Sequence, residues 1–182
     1  MTGGLTLAIC GHSGAGKTTL IEQLIPALAE LGWRVAVLKR THHPVEVDVA
    51  GKDSDRFFRA GATVCLQAPG QVFVRRPTAV ADADADGRRA LAELAASHDV
   101  VLVEGHKETP LPKVWLLGPG ELAPPPDVTG VLAILGREQP RVSPALALCQ
   151  RRMAQVLATR PLLGALVVDH GHDRASVAEA VA

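Results

Sequence analysis

The stretch LTLAIC-GHSGAGKT-TLIEQLIPALAELG, Leu5 to Gly32, decides the fold. It opens with six mostly apolar residues of strand length, closes with apolar residues at helical spacing, and places Gly11, Gly14 and Gly16 between them. A strand that passes to a helix through glycines lets successive backbone N–H groups turn inward around an anion, and the helix adds the positive end of its dipole. The pattern G-x-x-x-x-G-K-[ST] is filled by Gly11, His12, Ser13, Gly14, Ala15, Gly16, Lys17 and Thr18, with Thr19 next in the helix. Lys17 is placed to reach the outer phosphates of a nucleotide, and the Thr18 hydroxyl can ligate Mg²⁺. The bland alternative is a glycine-rich turn with an incidental lysine, but this loop has the strand and the helix the pattern requires. His12 stands where one large branch of dimeric P-loop proteins carries a second, intermolecular lysine, so that variant is not present.

Outward from this loop the alternation continues. RVAVLK, VVLVE, KVWLL and VLAIL are short Val/Ile/Leu runs, and DSDRFFRAGA, RRALAELAA and SPALALCQRRMAQVLA have helical character. This alternation predicts an α/β fold of the P-loop NTPase type, a mostly parallel, twisted sheet covered by helices. ATVCLQ and QVFVRR, separated by turn residues around Pro69 and Gly70, predict a β-hairpin added to that sheet. The acidic run ADADADG, Ala81 to Gly87, is read as a loop feeding a helix whose N-terminus tolerates carboxylates, and APPPD, Ala123 to Asp127, as a stiff loop between strands. GALVVD and then HGHDRASVAEAV suit a last strand and a short helix begun by Asp173. No linker divides the chain, so residues 1–182 are expected to form one nucleotide-binding domain.

With 19 basic and 19 acidic side chains among 182 residues, no net charge draws the chain to nucleic acid or to an anionic membrane. No apolar stretch has the length of about 20 residues that spans a bilayer, and no export signal precedes the first strand. Cys10, Cys65 and Cys149 are odd in number and far apart, which argues against a disulfide framework and fits a reducing cytoplasm. Cys10 is read as a small buried hydrophobe and Trp33 and Trp115 as packing residues; the H-x-H of DHGHD, Asp169 to Asp173, has a spacing that could bind a metal, but a polar turn with a helix cap explains it more simply.

A P-loop enzyme needs a carboxylate at the end of a neighbouring strand to hold the metal's shell. Glu104 ends VVLVE, whereas Asp99 begins the same strand, roughly 16 Å away at about 3.3 Å per residue. Asp48, in the irregular segment after the second strand, is the other candidate, with a solvated loop carboxylate as its alternative. Lys17, Asp48 and Glu104 are thus the candidate catalytic residues, and Thr18, Asp48 and Glu104 the candidate metal ligands. The base-reading motif of ordinary GTPases begins with Asn, which this chain lacks.

GHSGAGKTTL, LKRTHHPVEVDVAGKDSDRFFRAGA and VVLVEGHKETPLPKVWL together closely resemble the MobB family over roughly residues 5 to 135. Gly105 and Lys107 match the family, while His106 stands where an aromatic residue is usual. The resemblance implies a homodimer that binds GTP with Mg²⁺, hydrolyses it weakly, and assists the guanylyltransferase that joins GMP to molybdopterin in molybdenum cofactor biosynthesis. On that reading Lys39, Arg40, His42 and His43 emerge at the carboxyl end of the second strand and face anionic phosphate, as an anion or partner docking face. Lys52, Asp53, Arg56 and Lys107 extend it, with Asp53 capping a helix or fixing a cation. The competing readings are a small-molecule kinase with the same core and a nickel-insertion chaperone GTPase; no late arginine-rich lid favours the first, and the scattered cysteines do not favour the second.

Overall fold

A computed structural model describes residues 4–41, 48–78 and 83–158. Among these residues seven strands and four helices follow one another: β1 (Leu5–Cys10), α1 (Lys17–Glu30), β2 (Val35–Lys39), α2 (Asp53–Arg59), β3 (Val64–Ala68), β4 (Gln71–Arg75), α3 (Ala83–Ser97), β5 (Val100–Glu104), β6 (Lys113–Leu116), β7 (Val131–Leu135) and α4 (Val142–Ala158). Five strands form one parallel sheet in the order β2-β5-β1-β6-β7. The predicted last strand and helix, and the DHGHD turn, lie outside the described residues.

Period-two alternation sorts the sheet's side chains into two layers. Leu5, Leu7 and Ile9 of β1, with Val100, Leu102, Val114 and Leu116, face α1 and α4. Ala8, Cys10, Ala36, Val101, Val103 and Trp115 face the opposite side, where Leu91, Leu94 and Ala95 of α3 cover them. β1 and β5 are buried on both faces, which is why they read as near-continuous apolar runs. α1 buries Leu20, Ile21, Leu24 and Leu28, spaced to keep one stripe on the sheet. Each such burial stabilises by about 1.5–3 kcal/mol, which together offsets the roughly 3 kcal/mol that Pro26 costs on the helix's exposed face.

Two expectations are corrected. The hairpin β3-β4 pairs antiparallel with register Ala68↔Gln71 but forms a sheet of its own and does not extend the parallel one. Its register is local, set by the turn, whereas joining the large sheet needs pairing with an edge strand, β2 or β7, and among the described residues β3 and β4 pair only with each other. The acidic run is not all loop: residues from Ala83 are already helical, and Asp84 and Asp86 occupy the first turn of α3, where the dipole favours carboxylates.

The hairpin is tied down by a buried carboxylate. Asp55 of α2, only 3% exposed, accepts from Gly51 N–H at 2.9 Å, Arg59 Nε at 2.8 Å and Arg75 Nη1 of β4 at 3.0 Å. Arg75 also lies over the Phe58 ring, 3.7 Å from its centroid. The Gly51 amide first, then Arg59 and Arg75, hold the Asp55 carboxyl at about 2, below the ordinary 3.8. A carboxyl with a depressed folded-state pKa contributes stability that is complete above about pH 4 and is lost as pH falls through about 2. Thermal melts of the parent protein should therefore lose stability across that window, and Asp55→Asn should flatten this part of the profile. An unchanged slope in the variant would show that the triad of donors does not set it.

Candidate functional site

The glycine loop, Gly11 to Gly16, leaves β1 at the carboxyl edge of the sheet and enters α1 at Lys17. Its conformation is one that side chains resist: Gly11 has φ +144° and Gly16, the N-cap of α1, φ +88°. A Cβ on Gly11 would lie 2.5 Å from the Leu116 carbonyl oxygen, so this loop packs directly on the end of β6. Ser13, Gly14, Gly16, Lys17, Thr18, Thr19 and Glu104 line a cleft of about 360 Å³, within the range of small-ligand pockets. A larger concavity, about 530 Å³ between Pro124–Pro126 and β7, has no titratable side chain.

Lys17 folds over the loop, its Nζ donating to the Gly11 carbonyl at 3.0 Å and the His12 carbonyl at 2.8 Å. These are weak anchors for an ammonium, which a phosphate would outbid. His12 projects away from the cleft lining: its Nε2 stands 3.4 Å from Glu121 Oε1 and its ring meets Trp115 edge-on, centroids 5.8 Å apart. Glu121 also accepts from Gly118 N–H at 2.8 Å and Trp115 Nε1 at 3.0 Å, and the Gly118 amide above all keeps its carboxyl below the usual range.

The strand order brings the metal candidates together. β5 lies between β2 and β1, with Glu104 in register with Ile9 on one side and Lys39 on the other. The Thr18 hydroxyl donates to Glu104 Oε1 at 3.1 Å, and Lys39 Nζ is 3.1 Å from Glu104 Oε2. The Glu104 carboxylate is mostly buried, its side chain 12% exposed. A hydroxyl and a carboxylate side by side at the cleft are hard oxygen donors that fit Mg²⁺, and the Lys39 ammonium pairs with the other oxygen of the same carboxylate. Asp99 is at the other end of β5, where it accepts from Arg34 N–H at 2.9 Å and Arg34 Nε at 3.1 Å. Asp48 does not line the cleft, and its Oδ1 accepts from Val49 N–H at 2.8 Å.

The expected cationic face is distributed differently. Lys39 pairs with Glu104, and Arg40 Nη2 is 2.8 Å from Asp84 of α3, so both are compensated by carboxylates. His42 and His43 lie outside the described residues. Lys52 is the exposed N-cap of α2, so Asp53 is not the cap; Asp53 instead stands 3.8 Å from Arg56. Lys107 is exposed and offers its carbonyl, not its charge, to a neighbour.

That neighbour is one of two residues the sequence does not reveal. Lys113 of β6 is fully buried, its Nζ donating to the Lys107 carbonyl at 3.0 Å and the Thr109 carbonyl at 2.5 Å, and so pins the loop that leaves Glu104. In that loop His106 adopts φ +60°, and burial, then Arg40, holds its imidazole pKa down. The second is Arg141, which reaches the back of the glycine loop. In sequence each is one of 19 basic residues, and no spacing distinguishes it. Cys10 behaves as read: it is buried, its thiol donates to the Gly105 carbonyl at 2.9 Å, and desolvation pushes its pKa up to about 11.

A glycine loop between a parallel strand and a helix, with lysine, hydroxyl and strand-end carboxylate converging on one cleft, defines a protein of the P-loop nucleotide-binding class. Within that class, the model for molybdopterin guanine dinucleotide synthesis protein B matches residues 6–135, and the chain belongs to the MobB family. It is 40% identical over 118 residues to the molybdopterin-guanine dinucleotide biosynthesis adapter protein of Haemophilus influenzae, covering 60% of this chain and 61% of that protein. It is 36% identical over 115 residues to the Escherichia coli protein of the same description, covering 63% and 66%. The chain therefore spans somewhat under two thirds of the length of each. A crystal structure of molybdopterin-guanine biosynthesis protein B superimposes with TM-score 0.62 at 25% identity, over 84% of this chain and 99% of that one. A MobB homologue from Bacillus stearothermophilus has the same fold, with TM-score 0.52 at 22% identity, over 87% of this chain and 99% of that one.

Proposed function

We propose that this protein is a GTP-binding adaptor of molybdenum cofactor biosynthesis that assists a partner guanylyltransferase acting on molybdopterin, with weak Mg²⁺-dependent GTPase activity of its own. The observation that carries the nucleotide reading is the contact of Thr18 with Glu104 at 3.1 Å beside Lys17, since it joins the phosphate loop to a carboxylate from another strand. The loop amides and Lys17 hold the β and γ phosphates, and Thr18 and Glu104 hold the cation. Mg²⁺, when bound, draws negative charge from the phosphate oxygens and so eases attack at the γ phosphorus. In hydrolysis, water oxygen bonds to that phosphorus, the bridging P–O bond to the β phosphate breaks, and a water proton is released. Joining GMP to a pterin needs attack at the α phosphorus instead, which supports an assisting role over a transferase role.

The relatives' descriptions support the adaptor reading, and Val72, Phe73 and Val74, exposed along β4, support a homodimer in which a second copy covers them. Among the described residues no helix is long and apolar enough to cross a membrane. Reconstitution tests the function. With GTP, Mg²⁺ and molybdenum-bearing molybdopterin, the protein alone should form no guanine dinucleotide, and adding it to the transferase should raise the yield several-fold. Dinucleotide made without transferase would overturn the adaptor reading, and an unchanged yield would overturn the assistance.

A further inference from the structure

Arg141 lies at the start of the last described helix, six residues beyond the span matched by the family model. Its guanidinium is spread over backbone carbonyls from three elements. Nε donates to Gly136 at 2.7 Å, Nη2 to Leu117 at 2.8 Å and to Leu135 at 3.5 Å, and Nη1 to Ala15 of the glycine loop at 2.5 Å. All four acceptors are carbonyls, so among the described residues no carboxylate hydrogen-bonds to this charge. Burial, then the nearby Arg137, makes the cation less favourable than usual, and such a group gains from a nearby anion.

The Ala15 carbonyl and the Gly16 N–H belong to one planar trans peptide, in which they point in opposite directions. Gly16 lines the cleft and Ala15 is buried beneath it. A cation bonded to the carbonyl therefore polarises the amide on the cleft side and strengthens it as an anion donor. The contact is close enough that a Cβ on Gly16 would come within 3.2 Å of Nη1.

We infer that Arg141 is a positioning residue of the phosphate site, acting through the Ala15–Gly16 peptide to add positive charge behind the loop while linking that loop to the ends of β6 and β7. The inference rests on the nucleotide-binding reading of the cleft and deepens it. It makes the phosphates, and not the base, the part of the ligand that senses Arg141.

Calorimetric titration of Arg141→Lys, Arg141→Gln and Arg141→Met with Mg²⁺ and GTP, GDP or pyrophosphate, alongside their melting temperatures without ligand, tests this. Loss of the charge in the Gln and Met variants should weaken GTP about tenfold to a hundredfold, with pyrophosphate weakened in parallel. Arg141→Lys, which keeps the charge with fewer donors, should recover much of the loss even though its melting temperature falls. If Arg141→Met does not fold, Arg141→Gln, which retains a donor for the carbonyls, decides the same point. Affinity within twofold of the parent in either neutral variant overturns the inference, as does affinity that falls with melting temperature equally in all three. A parent protein that binds neither GTP nor pyrophosphate overturns the nucleotide reading itself.

Discussion

Lys17→Ala should lower the affinity for Mg²⁺-GTP by at least about a hundredfold while leaving a folded protein. The ammonium is a point charge lining the cleft, and among the described residues its partners are the Gly11 and His12 carbonyls, at 3.0 and 2.8 Å. Removing it takes nothing from the apolar layers on either face of the sheet. The bond to the His12 carbonyl is exposed and that to Gly11 part-buried, so water can replace the lost donor at the former. Stability should change by less than about 1 kcal/mol, because the carbonyls are not stranded in the core. Circular dichroism checks the fold and calorimetric titration the affinity. A folded Lys17→Ala protein with parental GTP affinity would mean that this loop is not the nucleotide site.

Glu104→Ala should remove the Mg²⁺ dependence of GTP binding and lower hydrolysis by about tenfold or more. The carboxylate is the only one lining the described cleft, and Thr18 and Lys39 both turn toward it. Without it Lys39 loses its partner and becomes a free cation beside the phosphates, so Mg²⁺-free nucleotide binding should be retained or rise. Asp99→Ala and Asp48→Ala are the controls. Asp99 engages Arg34 at the opposite end of β5, an exposed and solvent-screened pair, and its loss should leave hydrolysis untouched. Asp48 bonds within its own loop. Loss of Mg²⁺ dependence in either control, with the Glu104 variant unaffected, would remove Glu104 from the site.

Much of this site was legible because its pieces are local. The loop from Gly11 to Thr18 is a continuous backbone motif, and its flanking periods of two and 3.6 state which side is strand and which is helix. Strand polarity alone places Glu104 at the loop end of β5 and Asp99 at the far end. The cationic face was less legible, since residue type gives a charge but not its partner. Lys39 and Arg40 follow one another in sequence, yet one meets a strand-end glutamate and the other the first turn of α3. The hairpin shows the same limit: Pro69 and Gly70 set its own register, but nothing in the run of residues says which sheet it joins.

By itself the sequence determined the α/β alternation, the phosphate loop and the polarity that sets Glu104 beside it, because these depend on backbone geometry and on side-chain period within a few residues. The tertiary structure decided which strands became neighbours, and with them the approach of Glu104 to Thr18 across 86 residues and of Arg141 to Ala15 across 126. It also decided that Asp55 and Lys113 are buried, the carboxylate against three donors and the ammonium against two backbone carbonyls. The reason is that a distant pairing is selected by the packing of whole layers against the entropy of closing long loops, a balance to which no local pattern holds the key. A carbonyl cradle for a guanidinium exists only once the ends of β6 and β7 and the glycine loop have been brought together.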